Sequence, residues 1–118
     1  MELRRLEKYK KQFKDLATKI DSFQSYLQTK DRTGEELILP YQVSQATGID
    51  EMAALFILSL AEKEHLVTKK YSVFTEDDTL IGEFDNQNKI PPIIFNNADG
   101  KEVDRDHYYV QISFELER

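Results

Sequence analysis

The sequence predicts an α+β domain in which helices come first and strands last. Three observations carry this. Glu2 to Gln28 contains neither Gly nor Pro and places Leu6, Tyr9, Phe13, Leu16, Ile20, Phe23 and Leu27 at alternating steps of three and four, the spacing of one helix face. Gly48 to Val67 (GIDEMAALFILSLAEKEHLV) sets a turn residue and an N-capping aspartate ahead of a strongly apolar helix. After His65 the period falls to two, and Tyr108 to Leu116 alternates apolar with polar residues.

The first element, residues 1–29, reads as one long amphipathic helix of about 40 Å at 1.5 Å per residue. Its stripe has heptad spacing, but Phe and Tyr suit a coiled-coil seam poorly. The flanking Arg5, Lys10, Gln12, Ala17, Lys19, Gln24 and Tyr26 offer no cross-strand salt bridges. The stripe therefore serves the chain's own core, a coiled coil, or a protein partner. Residues 1–33 carry a net charge of +4 and residues 34–118 a net charge of −10. Either the two parts attract each other within the fold, or the basic helix meets an acidic partner. Lys30 to Glu36 reads as a polar loop turning at Gly34, and Glu35 to Leu39 as a short strand. Pro40 suits a helix start, where its missing N–H costs nothing.

Tyr41 to Thr47 then forms a short helix, Gly48-Ile49 a turn, and Asp50 caps the longer helix. Ala54, Ile57, Leu58 and Ala61 face inward at helical spacing. Met52, Ala53, Leu55 and Phe56 face outward. Val67 to Phe74 and Thr79 to Phe84 are strands. In Tyr108 to Leu116 the residues Tyr108, Val110, Ile112, Phe114 and Leu116 share the buried face. The first and last of these strands pair. The stretch of about 33 residues between them is too long for a simple loop and carries structure of its own, with Asp99-Gly100 as a turn.

From Leu37 to Leu116 this order resembles a winged helix-turn-helix domain, which implies boundaries at 35–118 and an elongated β wing over about 74–107. Winged helices that read DNA carry Arg, Asn, Gln or Ser on the outer side of the second helix, where base edges are hydrogen-bonded. Here Met52, Leu55 and Phe56 occupy that side, and such residues bury against protein instead. The chain also departs at His65, where a glycine commonly ends the helix in a left-handed conformation; histidine tolerates that conformation better than most residues do. The wing resembles a zinc ribbon. Its two Cys-x-x-Cys knuckles would fall on Phe74/Asp77 and Phe95/Ala98, so no zinc can bind, and Phe74 with Phe95 would fill the metal's space. A plain β-hairpin extension accounts for the same residues equally well. By resemblance, such proteins are accessory components, or N-terminal parts, of bacterial regulatory and mobile-element defence systems.

Composition narrows the functions. A net charge of −6 and a pI of about 4.9 disfavour nucleic acid and anionic membrane at long range. There is no cysteine, hence no disulfide or thiolate chemistry. No signal peptide or membrane-spanning run is evident, and a cytoplasmic location is expected. His65 and His107 stand in a helix end and a strand entry, and Ser44, Ser59 and Ser72 in no nucleophile elbow. The four glycines are too far apart to cradle a phosphate. Asn97, Asp99, Gly100 and Asp106 fit four positions of a calcium loop, but Phe95 at its first position has no ligand oxygen. No enzyme, cofactor, metal or small-molecule substrate is expected.

What remains is a self-associating interaction module. Its partner-binding residues are Met52, Leu55 and Phe56, with Leu6, Tyr9, Phe13, Leu16, Ile20 and Phe23 of the stripe. The alternative is a DNA-binding regulator dimerised through the first helix, touching phosphates with Lys69, Lys70, Arg4, Arg5, Lys8 and Lys11.

Overall fold

A computed structural model of the chain describes residues 2–35 and 37–117. It is a mixed α+β structure with two compact units, residues 1–68 with 114–118, and residues 69–113.

The first unit holds four helices: α1 (Glu7–Gln12), α2 (Ala17–Thr33), α3 (Pro40–Thr47) and α4 (Glu51–Lys63). The expected single rod is bent. At Phe13 the backbone leaves the helical region, with φ −120° and ψ 75°. The chain then folds so that α1 packs against α2. Gln24 of α2 donates to the Leu3 carbonyl at 3.0 Å, and Lys10 of α1 pairs with Asp21. The bend lets both halves of the stripe enter one core: Leu6, Tyr9, Ile20, Phe23 and Leu27 are all buried. A straight rod could not have brought both halves of the stripe out of water into that one core. At its other end α2 runs on through Lys30 to Thr33, residues expected in a loop, and stops at Gly34 in the left-handed conformation.

The expected turn chemistry is present in the next stretch. Pro40 opens α3, and Gly48 ends it at φ 77° with its N–H on the Ser44 carbonyl at 2.9 Å. Asp50 caps α4, accepting the Ala53 N–H at 2.7 Å. His65 follows α4 at φ 59°, and the Leu66 N–H closes on the Ala61 carbonyl. Ala54, Ile57, Leu58 and Ala61 are buried. α2 packs on α3 and α4, and α3 on α4.

One four-stranded sheet has the order β1-β6-β2-β3, with β1 Leu37–Ile38, β2 Val67–Thr75, β3 Leu80–Phe84 and β6 Tyr108–Leu116. In the first unit β1 pairs with the end of β6, Leu37 opposite Glu115 and Ile38 opposite Phe114.

In the second unit β2 and β3 form a hairpin with a register shift between Val73 and Phe74. Its turn places Asp78 at φ 65° and is tied by the Thr75 hydroxyl, which accepts the Thr79 N–H at 3.1 Å. A second, separate hairpin pairs β4 (Ile93–Asn96) with β5 (Lys101–Asp104). The long insertion is thus two hairpins and a helical turn at Gln87–Lys89. Two expectations fail here. Val110 is exposed and Ile112 half-buried, while Ser113 is fully buried, because its hydroxyl meets that of Ser72 at 2.5 Å and satisfies both groups inside. Phe74 and Phe95 do not share one space either. Phe74 is buried and stacks on Tyr109 at 5.4 Å, whereas Phe95 is 55% exposed.

Candidate protein-interaction surface

The surface begins with the rotation of α4. Asp50 fixes the first turn, and the small residues Ala54 and Ala61 let Ile57 and Leu58 drop fully into the core. The opposite side of the first two turns is then obliged to carry Met52, Leu55 and Phe56. Met52 is 85% exposed, Phe56 41% and Leu55 38%, while Ala53 is half-buried. Of these, Phe56 has an intramolecular neighbour: its ring meets the edge of Phe13 at 5.3 Å in a T-shaped pair. Phe13 in turn stacks on the buried Tyr9 at 6.4 Å. An aromatic ladder therefore runs from the core at Tyr9, through the bend at Phe13, to the surface at Phe56.

The bend is anchored by charge. Tyr9 donates its hydroxyl to the Glu64 carboxylate at 2.5 Å, and Lys8 pairs with the same carboxylate at 3.0 Å. Arg5 donates to the Glu64 carbonyl at 3.1 Å, and Lys19 lies 3.8 Å from Asp50. The hydrogen bond to Glu64 and burial push the Tyr9 hydroxyl up to about 12. The Tyr9 hydroxyl and the Lys8 ammonium hold Glu64 below the usual carboxylate range. Part of the charge asymmetry seen in the sequence is thus consumed within the fold.

The stripe residues divide accordingly. Leu6, Tyr9, Ile20 and Phe23 are core and, contrary to the expectation that they contact a partner, lie out of a partner's reach in this structure. Phe13 and Leu16 are half-buried and line a shallow cleft at the bend with Lys11, Gln12, Lys14 and Asp15. They are the stripe residues that, together with Met52, Leu55 and Phe56 of α4, a second protein can touch.

The cations considered for DNA are mostly engaged locally. Arg4 pairs with Glu2 at 3.1 Å, Arg5 and Lys8 serve Glu64, Lys70 pairs with Asp85 at 2.5 Å, and Lys69 lies over the Tyr71 ring at 5.6 Å. Lys11 and Lys14, both exposed, form no ion pair among the described residues.

A second exposed apolar pair has no signal in the sequence. Ile93 and Phe95 are 53% and 55% exposed on the outer face of the β4–β5 hairpin, while Ile94 and Asn96 point inward. Hydropathy alone would have turned Phe95, not Asn96, toward the core. Elsewhere His107 meets Glu76 at 2.8 Å, and this hydrogen bond, with Asp104 nearby, raises its proton affinity; the pair is open to solvent. Among the described residues no helix is long and apolar enough to cross a membrane, and no group of three or more His, Asp and Glu side chains is placed to hold a metal ion. Comparison with protein-family models, with curated proteins and with solved structures found no match for the chain.

Proposed function

We propose that the chain is a non-catalytic protein–protein interaction module built on a winged helix-turn-helix, which self-associates and acts as an accessory subunit or N-terminal domain of a multicomponent bacterial system, regulatory or concerned with mobile-element defence. The observation that carries the reading is the exposure of Met52, Leu55 and Phe56 along one side of a helix whose other side is fully buried. A soluble surface gains nothing from such a cluster unless protein covers it. The winged-helix part rests on the order of β1, α3, the Gly48 turn, α4 and the β2/β6 pair. The ribbon resemblance rests on spacing alone, Phe74/Asp77 and Phe95/Ala98 falling beside the turns of two hairpins, without a shared Phe74–Phe95 core. A DNA role is disfavoured by the same apolar face and by the local engagement of most of the cations it would use.

The test is the mass of the protein in solution by sedimentation across a concentration series. The wild type should exceed the monomer mass, and Leu55→Glu with Phe56→Glu should return it to the monomer with an unchanged circular dichroism spectrum. Because Phe56 touches Phe13, Met52→Glu serves as a second variant that touches no aromatic pair. A wild type that stays monomeric throughout would sink self-association.

A further inference from the structure

The outer face of the β4–β5 hairpin carries its own chemistry. In an antiparallel pair, directly opposed residues project to the same side. Ile93 opposes Asp104 and Phe95 opposes Glu102. All four are exposed, so one face of a short two-stranded ribbon presents two large apolar side chains beside two carboxylates. Asp104 accepts the Asp106 N–H at 3.1 Å and lies 4.0 Å from the His107 ring, and Glu102 carries no ion pair among the described residues. Residues 69–113 carry a net charge of −4. Such a face repels phosphate and anionic lipid and fits a surface that is basic and apolar.

The chain itself owns a surface of that kind. Residues 2–16 hold six Lys and Arg against three Asp and Glu. Lys11 and Lys14, which form no ion pair among the described residues, line the bend with half-buried Phe13, whose ring meets the exposed Phe56; the exposed Met52 lies one turn earlier on α4. Both surfaces join apolar rings to charge, and the charges are opposite in sign.

Resting on the interaction-module reading above, we infer that the β4–β5 hairpin face of one copy docks on the Phe13–Phe56 bend surface of a second copy. Ile93 and Phe95 cover Met52 and the Phe13–Phe56 pair. Glu102 and Asp104 meet Lys11 and Lys14. The occupant of the α4 face is thereby a second copy of this chain, held at its rim by a charge pattern that sets which surfaces meet.

The experiment is a charge reversal read by sedimentation at low and at moderate salt. Glu102→Lys with Asp104→Lys should lower the association constant at least tenfold, and Lys11→Glu with Lys14→Glu should do the same. An equimolar mixture of the two reversed proteins should associate again, because each offers a reversed surface that matches the other's. Ile93→Ser with Phe95→Ser repeats the hairpin arm without new charge. Association that survives both hairpin variants, or a mixture that stays monomeric, overturns the docking assignment. Loss on Leu55→Glu with Phe56→Glu but not on the hairpin variants would keep the interaction module and discard the hairpin as its occupant. A wild type that never associates would discard both.

Discussion

The rotation of α4 can be measured by two substitutions six residues apart on the same helix. Leu58 is fully buried, and its truncation removes apolar contact while leaving a cavity. Leu58→Ala is expected to cost about 3 kcal/mol, in the middle of the range for buried leucines. Met52 is 85% exposed. Met52→Ala is expected to stay within about 0.5 kcal/mol, as surface changes do, and methionine and alanine are both good helix formers. For a chain of this length 1 kcal/mol moves the Tm by roughly 4 °C, so the two variants should separate by about 10 °C or more. Thermal unfolding followed by circular dichroism reads this directly. It should be run at high dilution, since any self-association stabilises the folded state by mass action. A Met52→Ala variant that loses about 2 kcal/mol or more at high dilution, or a Leu58→Ala variant that loses less than about 1 kcal/mol, would show that the helix is turned the other way.

Four further outcomes follow. Gly48→Ala should destabilise by about 1–2 kcal/mol, because φ is 77° there and a Cβ strains that conformation, although it would meet no atom within 4 Å. His65→Gly should instead gain a few tenths to about 1 kcal/mol, since relief at φ 59° outweighs the entropy that glycine costs; urea unfolding reads both. Tyr9 is held above its ordinary value of about 10, at about 12, so its neutral form is favoured by folding. Its contribution is complete below pH 10 and is lost between about pH 10 and 12; Tyr9→Phe should flatten the stability profile in that window. Glu64 is shifted the other way, so its contribution is present above the ordinary carboxylate range and fades as pH falls through its folded value; Glu64→Gln should remove that acid limb.

The parts of the fold legible in the sequence are those written in local chemistry. Gly48, Asp50, Pro40 and His65 each set a backbone geometry within a few residues, and each sits where its chemistry requires. The stripe from Leu6 to Leu27 was legible as an apolar face but not as a bent one. The bend at Phe13 has no Gly or Pro to announce it and is held by tertiary partners, Gln24 on the Leu3 carbonyl and Tyr9 on Glu64. The same holds for β6, where a hydroxyl pair between Ser72 and Ser113, 41 residues apart, overrides the apolar alternation. Of the candidate surface, Met52, Leu55 and Phe56 were readable from helical period alone. Ile93 and Phe95 were not, because which side of a two-stranded hairpin faces the body depends on what it packs against, and its inward residues include Asn96.

The proposed self-association leaves the α4 face bare in the monomer and covers it in the assembly. The chain has two methionines, so its methyl-methionine spectrum contains two signals, and Met52 is assigned by Met52→Leu. The most direct measurement is relaxation of the Met52 methyl signal by a soluble paramagnetic agent across a dilution series. Self-association through this face gives strong relaxation at high dilution and protection as concentration rises. A methyl that is protected at every dilution would lie inside its own chain, and one that is relaxed equally at every concentration would have no protein covering it; either result rules out self-association through α4.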